Sequence, residues 1–344
     1  MRETLGLNPP MRVTEFLTSE MCESVALLAR AVQSGAANSS ALATFIEESK
    51  RLPLTRIGNS EHAIRAITYQ IGAPKKRPFW TQRQPAHDNA FMWFDLFSGD
   101  GYRRERVIRQ TTEGAPNAFL LAVFLRRLND WVPQVREAAR EAAPLVLEKT
   151  APNVLMDVLW VTLPVRTSWR RMSRVDGQVL DTAIEVSGVP EALVARLSTA
   201  TAGRATSILR QAARQSTLDP FLSRLAESAI QPSVRAVSYR MLLEKCAVWP
   251  DGWHWQWIDK SLGRRIRKPT LAERPITTSI DHPAVLAAAV SDKSPLVRRV
   301  AGGILIANRD ILGADELALA RQLAADAYPS VASRGKFVLD HLAN

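Results

Sequence analysis

A short sequence motif, which we call the repeated phrase, constrains the fold of this chain more than any other feature. It occurs in four imperfect copies. Each copy holds a polar residue or turn, then a proline, a valine, usually an arginine, and apolar residues at helical spacing. The prolines of the four copies are Pro133, Pro232, Pro295 and Pro329. This order is typical of a helix start inside a repeat, and the last two copies lie one helical repeat of ~33 to 47 residues apart. The phrase therefore predicts stacked helical hairpins.

Length and composition fit such an array. The chain has 344 residues, of which 46% are hydrophobic and 23% charged, so it can bury a large core and is unlike a disordered or collagenous chain. A repeat array need not split into domains, because each repeat packs only on its neighbours. We therefore expect one elongated domain over residues 1–344.

Two stretches interrupt the helical pattern. Residues 72–89 read as a basic, Pro-rich loop insertion, and residues 249–281 as a Trp-rich basic insertion. Residues 282–344 then resume as C-terminal repeats. We find no sustained alternation of apolar and polar residues between hairpin turns, so we predict an all-α fold with essentially no β-sheet.

The repeated phrases resemble HEAT repeats. The best matches are Asp130-Pro133-Val135-Arg136 and Asp292-Pro295-Val297-Arg298. Two further copies depart from the pattern, because Pro232-Val234-Arg235 lacks the aspartate and Asp326-Pro329-Val331 is followed by Ala332 in place of arginine. The resemblance implies a right-handed α-solenoid of antiparallel helix pairs. It does not imply a particular reaction, since such arrays serve scaffolds, transport factors, regulators and a few nucleic-acid enzymes.

The recurring aspartates and arginines have a structural interpretation. A carboxylate at a helix start caps free backbone N–H groups, and a guanidinium group can reach the neighbouring repeat. We therefore interpret Asp130, Arg136, Asp292 and Arg298 as connections between repeats rather than as a catalytic site.

The charge balance indicates what kind of partner the chain would bind. The chain carries 45 Lys and Arg against 34 Asp and Glu, a formal net charge of +11. Such an excess favours an anionic partner, either an acidic protein surface or nucleic acid. The preference for Arg over Lys suits bidentate contacts to phosphate or carboxylate, although a GC-rich genome produces the same bias.

The Trp-rich insertion supplies the main candidate contact residues. They are Trp253, Trp255, Trp257, Arg264, Arg265, Arg267 and Lys268. Aromatic faces beside guanidinium groups can stack bases and hold phosphates. The simpler interpretation is that the tryptophans fill the gap between repeats while the arginines remain solvated. The sequence leaves both interpretations open.

Two other basic clusters have the same ambiguity. One holds Lys75, Lys76 and Arg77, and the other holds Trp169, Arg170 and Arg171. On corresponding faces of successive repeats they would form a continuous basic trough. On different faces they would only add solubility.

The sequence carries no phosphate-binding loop, nucleophile elbow or zinc-protease motif, so we predict no catalytic residue, metal or cofactor. The two cysteines, Cys22 and Cys246, lie far apart and suit a reducing compartment. Without a secretory signal or a membrane-spanning run, we expect a cytoplasmic protein that does not contact the membrane.

The sequence thus predicts a non-catalytic interaction scaffold whose partner is a protein, with nucleic acid as a second possibility. The alternative is a nucleic-acid-binding protein or an alkylpurine DNA glycosylase of the HEAT-like kind, which holds DNA with Trp, Asp and Arg. Trp131, Asp130 and Arg136 supply these residue types, but no motif matches that family residue by residue. A carboxylate beside Trp and Arg in a pocket would distinguish the two. The oligomeric state does not follow from the sequence.

Overall fold

The computed structural model describes residues 15–34, 38–72 and 92–342, and these residues are mostly helical. The chain divides into two compact units, Met1–Val186 and Ser187–Asn344. The prediction of a single array across both units stays a prediction. The predicted loop at 72–89 lies outside the described residues, except for Gly72 at the end of a helix.

The described part of the first unit consists of helices. They are α1 (Ser19–Ser34), α2 (Ser39–Ser49), α3 (Ile57–Gly72), α4 (Met92–Asp95), α5 (Gly101–Arg109), α6 (Ala118–Arg126), α7 (Pro133–Glu148), α8 (Pro152–Thr162) and α9 (Arg174–Glu185). Short 3₁₀ turns connect some of them, at Leu54–Arg56, Arg127–Asn129 and Leu163–Ser168. Helices α5, α7 and α9 pack in one row, and α3, α6 and α8 in a second. The core lies between the rows, where α6 is buried along nearly its whole length.

The second unit combines helices with one hairpin. Its helices are α10 (Val189–Thr199), α11 (Ala205–Ala212), α12 (Leu222–Ser228), α13 (Pro232–Glu244), α14 (His282–Val290), α15 (Pro295–Ala307), α16 (Ala314–Ala324) and α17 (Pro329–Leu342). Helices α11, α13, α15 and α17 form one row, against which α12, α14 and α16 pack. No helix in the described part of the chain is both long enough and apolar enough to cross a bilayer.

The prediction of a mostly helical chain is confirmed for the described residues, but the prediction of essentially no β-sheet is wrong for one segment. Strands β1 (Cys246–Asp259) and β2 (Arg264–Pro275) form an antiparallel two-stranded sheet, which begins three residues before the predicted Trp-rich insertion at 249–281 and covers most of it. The alternation of Trp with His and Gln over residues 253–257 was the signal for a strand. Prolines within the segment, such as Pro250 and Pro269, argued against a strand there. Both strands of a two-stranded sheet are edge strands, however, and proline in an edge strand removes no hydrogen bond between strands if its nitrogen faces outward.

The repeated phrase has the predicted structural role. Each of its four prolines is the first residue of a helix, α7, α13, α15 or α17. The valine two positions later is fully buried in every copy, at Val135, Val234, Val297 and Val331. Proline suits the first turn because its missing N–H has no partner there. The predicted helix starts and inward-facing valines are therefore confirmed.

Arginine–aspartate ion pairs connect consecutive helix pairs, through arginines that are buried or, for Arg298, half-buried. Three such contacts occur among the described residues, Arg104 with Asp130, Arg235 with Asp292, and Arg298 with Asp326. In each, the guanidinium donates to both carboxylate oxygens at N–O distances of 2.6 to 3.1 Å. Each aspartate also accepts the backbone N–H two residues later. The interpretation of these residues as structural is confirmed, although Arg136 donates only within its own repeat, to the Asp130 carbonyl at 2.8 Å.

A glycine sets the approach of the last two helices. A methyl group at Gly335 in α17 would collide with the α16 backbone, at the Ala324 nitrogen and 2.6 Å from the Ala320 oxygen. At Gly303 in α15 it would meet nothing within 4 Å. We expect Gly335→Ala to destabilise the protein by about 1–3 kcal/mol through overpacking. Gly303→Ala should stabilise it by about 0.5–1 kcal/mol, since glycine disfavours helix. Chemical unfolding of both variants measures this, and equal effects would contradict it.

Candidate functional site

The base of the hairpin is fixed to the helices of its own unit. Arg274 in β2 donates to both oxygens of Asp219, at 2.9 and 2.6 Å, and to the Ala213 carbonyl at 2.9 Å. Asp219 also accepts the N–H of Thr277 at 2.8 Å. Burial opposes ionisation of Asp219, but the hydrogen bonds from Arg274 and Thr277 hold its pKa below the usual value. The ion pair is therefore intact at neutral pH and orients the hairpin.

The first tryptophan of the segment completes this base. Trp249 is 8% exposed, with the Arg214 guanidinium 5.2 Å from its ring centroid. Arg214 binds Asp251 at 2.7 Å, and the Gln211 amide donates to the Pro250 carbonyl at 2.8 Å. The packing interpretation of the tryptophans is confirmed for this residue.

The other three tryptophans lie on an exposed face of the hairpin. Trp253, Trp255 and Trp257 are 48, 56 and 49% exposed, and the packing interpretation is wrong for them. Trp255 pairs across the strands with Arg267, and Trp257 with Arg265. Because side chains alternate along a strand, these five residues share one face. We call it the Trp–Arg face.

The arginines of the Trp–Arg face stack on its indoles. The Arg265 guanidinium lies 4.4 Å from the ring centroid of Trp255 and 5.9 Å from that of Trp257. The Arg267 guanidinium lies 5.0 Å from the centroid of Trp253. Each stack contributes about 0.5–1 kcal/mol at an exposed site. The stacks hold the two guanidinium groups in place, while Arg265 and Arg267 remain exposed.

The other predicted basic residues of this segment lie elsewhere on the hairpin. Lys268 pairs with His254, and Ile266 with Gln256, on the opposite face. Arg264 lies near the turn, opposite Asp259, and alternates onto that second face. The structure therefore places the predicted residues on two faces, with the tryptophans, Arg265 and Arg267 on one and Arg264 and Lys268 on the other.

A second candidate site lies in the first unit. It is a cavity of about 320 Å³ between α3, the end of α6 and the loops that follow α6 and α8. Four arginines and two carboxylates line it, an excess of two positive charges, with Arg65, Arg126, Arg127 and Arg171 supplying the guanidinium groups. We call it the cationic pocket.

The carboxylates of the cationic pocket are paired. Glu61 accepts hydrogen bonds from Arg126 at 2.9 Å and from Arg127, and pairs with Arg65 at 2.9 Å. Burial opposes ionisation of Glu61, but the charges of Arg127, Arg65 and Arg126 hold its pKa below the usual value. Burial also opposes ionisation of Asp130, but the hydrogen bonds from Arg104 and the Val132 N–H and the charge of Arg127 hold its pKa below the usual value. Both groups are carboxylates at neutral pH.

Two indoles form the aromatic part of the cationic pocket. Trp131 is 65% exposed, and Trp169 is half-buried. The backbone N–H of Arg171 donates to the Asn129 side-chain oxygen at 2.9 Å, which holds the two loops together. Of the predicted cluster at residues 169–171, Trp169 and Arg171 line the pocket, while exposed Arg170 does not. Lys75, Lys76 and Arg77 fall outside the described residues.

Four pocket residues were not predicted as parts of a site, namely Glu61, Arg65, Arg126 and Arg127. They come from α3 and the end of α6, far apart in sequence, and each reads locally as a solvated helix residue. The adjacent run Arg126, Arg127, Asn129, Asp130 and Trp131 was the available signal.

No protein-family model, no curated protein and no solved structure gives a match to this chain. The geometry of these two sites is therefore the basis for inferring a function.

Proposed function

We propose that this chain is a non-catalytic scaffold of HEAT-like repeats, a right-handed α-solenoid, that binds an anionic partner through the Trp–Arg face. The rows of helices within each unit and the buried arginine contacts between helix pairs support the repeat architecture. The Trp–Arg face is the observation that carries the binding proposal.

The exposure of the indoles on the Trp–Arg face favours a binding role. Three indoles about half exposed on one side of a narrow hairpin form an apolar patch, and such patches mark interaction sites when basic residues accompany them. The anchor between Arg274 and Asp219 keeps this patch in a fixed orientation. Fixed side chains lose less entropy on binding, which favours affinity.

The chemical groups of the Trp–Arg face suit an anionic partner. A guanidinium stacked on an indole still presents its N–H edge, which forms two parallel hydrogen bonds to a carboxylate or phosphate. The indoles beside it can stack on nucleic acid bases or pack on the apolar part of a protein surface. Both an acidic protein surface and nucleic acid satisfy this face, and the binding experiment distinguishes them.

We expect the double variant Arg265→Glu with Arg267→Glu to lose at least about tenfold in affinity beyond a matched control, roughly 1.4 kcal/mol. The control is Arg264→Glu with Lys268→Glu, which changes the net charge equally on the opposite face. Fluorescence anisotropy with short single- and double-stranded oligonucleotides and with polyglutamate measures both, at about 50 and about 200 mM salt. Each lost phosphate contact should reduce the log–log salt slope by roughly 0.7 to 0.9.

Trp255→Ala separates stacking from charge. It removes a stacking surface but no charge, so it should weaken binding while changing the salt slope less than the arginine double variant does. Binding of polyglutamate but not oligonucleotides would identify an acidic protein as the partner. Equal losses in the two charge variants, or no binding of any probe at low salt, would refute the proposal.

The alternative of a HEAT-like alkylpurine DNA glycosylase has one observation in its favour, the cationic pocket. Glu61 and Asp130 lie there with Trp131 and Trp169. Their pairing with arginines supports a role in holding charge rather than in proton transfer. Release of free methylated purine from alkylated DNA by the purified chain would show that it is a glycosylase rather than a non-catalytic scaffold.

A further inference from the structure

We propose that the cationic pocket of the first unit binds a nucleotide, holding its phosphate with arginines and its base against an indole. This inference does not rest on the proposed function of the hairpin, because it concerns other residues in the other unit. A free mononucleotide and the phosphorylated end of a nucleic acid strand share this chemistry.

Charge is the first argument. The pocket holds four guanidinium groups and two carboxylates, and Arg104 adds a further positive charge behind Asp130. Burial lowers the pKa of Arg65, and the nearby charges of Arg127 and Arg104 lower it further against the effect of Glu61. Positive charges are thus held close together with too few anions between them. A bound phosphate would supply the missing negative charge.

Unused hydrogen-bonding capacity is the second argument. Each guanidinium has five N–H donors, and the two carboxylates already accept from several of them. The exposed Arg171 has no ion-pair partner among the described residues, and its loop is fixed by the hydrogen bond to Asn129. A planar donor fork on a fixed loop suits phosphate, which accepts two parallel hydrogen bonds.

The aromatic wall is the third argument. Trp131 and Trp169 line the same pocket as the arginines, and Trp131 leaves about two thirds of its surface exposed. Base–aromatic stacking contributes about 1–3 kcal/mol per base. An inorganic anion would not use these indoles, so their presence points to a ligand with a planar ring beside its phosphate.

Size is the fourth argument. The cavity of about 320 Å³ is at the lower end of the range of about 300–1,000 Å³ for small-molecule sites. It therefore fits one nucleotide rather than a run of several. Its predominantly polar lining also differs from that of a site for an apolar ligand.

Calorimetric titration of the full chain with AMP, adenosine and inorganic phosphate tests the proposal. We expect AMP to bind at least about tenfold more tightly than adenosine or phosphate, because only AMP uses both the arginines and the indoles. Comparison of 5′-phosphorylated and 5′-hydroxyl oligonucleotides distinguishes a strand end from a free nucleotide. AMP that binds no better than phosphate would overturn the proposal.

Exposed residues allow variants that leave the fold intact. Arg171→Ala and Trp131→Ala should each weaken AMP binding about tenfold, roughly 1.4 kcal/mol. The control Arg170→Ala removes the same charge one residue away, outside the pocket, and should bind AMP as the parent chain does. The variant Arg265→Glu with Arg267→Glu should also keep AMP binding, which separates this site from the hairpin. Equal effects of Arg170→Ala and Arg171→Ala would refute the proposal.

Discussion

Val135→Asp is expected to unfold the helices around α7 under conditions in which the parent chain is folded. Val135 has no exposed surface. Burying an unpaired carboxylate costs about 4 kcal/mol or more, a large part of the stability of a typical domain. Circular dichroism during urea unfolding measures the loss, and hydrogen exchange shows whether it begins in α5, α7 and α9.

Gln134→Asp is the matched control, because it places the same carboxylate on the exposed side of the same turn. It should leave stability unchanged or raise it by about 0.3–1 kcal/mol, since a negative charge is favourable near a helix N-terminus. Val297→Asp should repeat the large effect in α15 of the second unit. An unchanged unfolding midpoint for both valine variants would show that the repeat register is wrong.

The arginine contacts between helix pairs should produce the second large effect, graded by burial and by the partners that remain. The side chains of Arg104, Arg235 and Arg298 are 0, 1 and 15% exposed. Replacing Arg235 by Met leaves the buried Asp292 without its ion-pair partner, and we expect a loss of about 3–5 kcal/mol. Arg104→Met should cost less than this, because Asp130 keeps its ion pair with Arg127. Arg298→Met should also cost less, since water reaches its site and can solvate Asp326.

Urea unfolding of the three Met variants measures this order. Replacing the aspartate as well gives a control, because Arg235→Met with Asp292→Asn removes the unpaired charge but keeps an oxygen for the Ser294 N–H. The double variant should therefore be more stable than Arg235→Met alone. If the three single variants lose the same stability, neither burial nor the remaining partners determine the strength of these contacts.

The helical part of the fold was predictable because its signals are local. Proline at the first helical position, valine two residues later and apolar residues at period 3.6 specify a helix start and its buried side without knowledge of the partner helix. The sequence predicted that aspartates and arginines connect the repeats, but not which residues form each pair. Arg136 and Arg298 hold the same place in the phrase, but only Arg298 has an aspartate to bind in the next copy.

The hairpin and the pocket were less predictable, for different reasons. In the hairpin, Trp249 and Trp253 look alike in sequence, but only the first lies above the α11 and α13 helices that bury it. In the pocket, Glu61 meets Arg126 and Arg127 only because α3 packs beside α6. Such contacts depend on tertiary packing, which a local pattern does not report.

The arginine contact that spans the hairpin has an evolutionary consequence. Arg235 and Asp292 are 57 residues apart, whereas the equivalent pairs are 26 and 28 apart. The excess is close to the length of the hairpin, yet the contact is the same. The helix packing on either side therefore accommodates a long connecting segment. A lineage could lengthen or exchange the exposed outer part of the hairpin in a single genetic event and so change its partner, as long as Trp249 and Arg274 still fix its base to the helices.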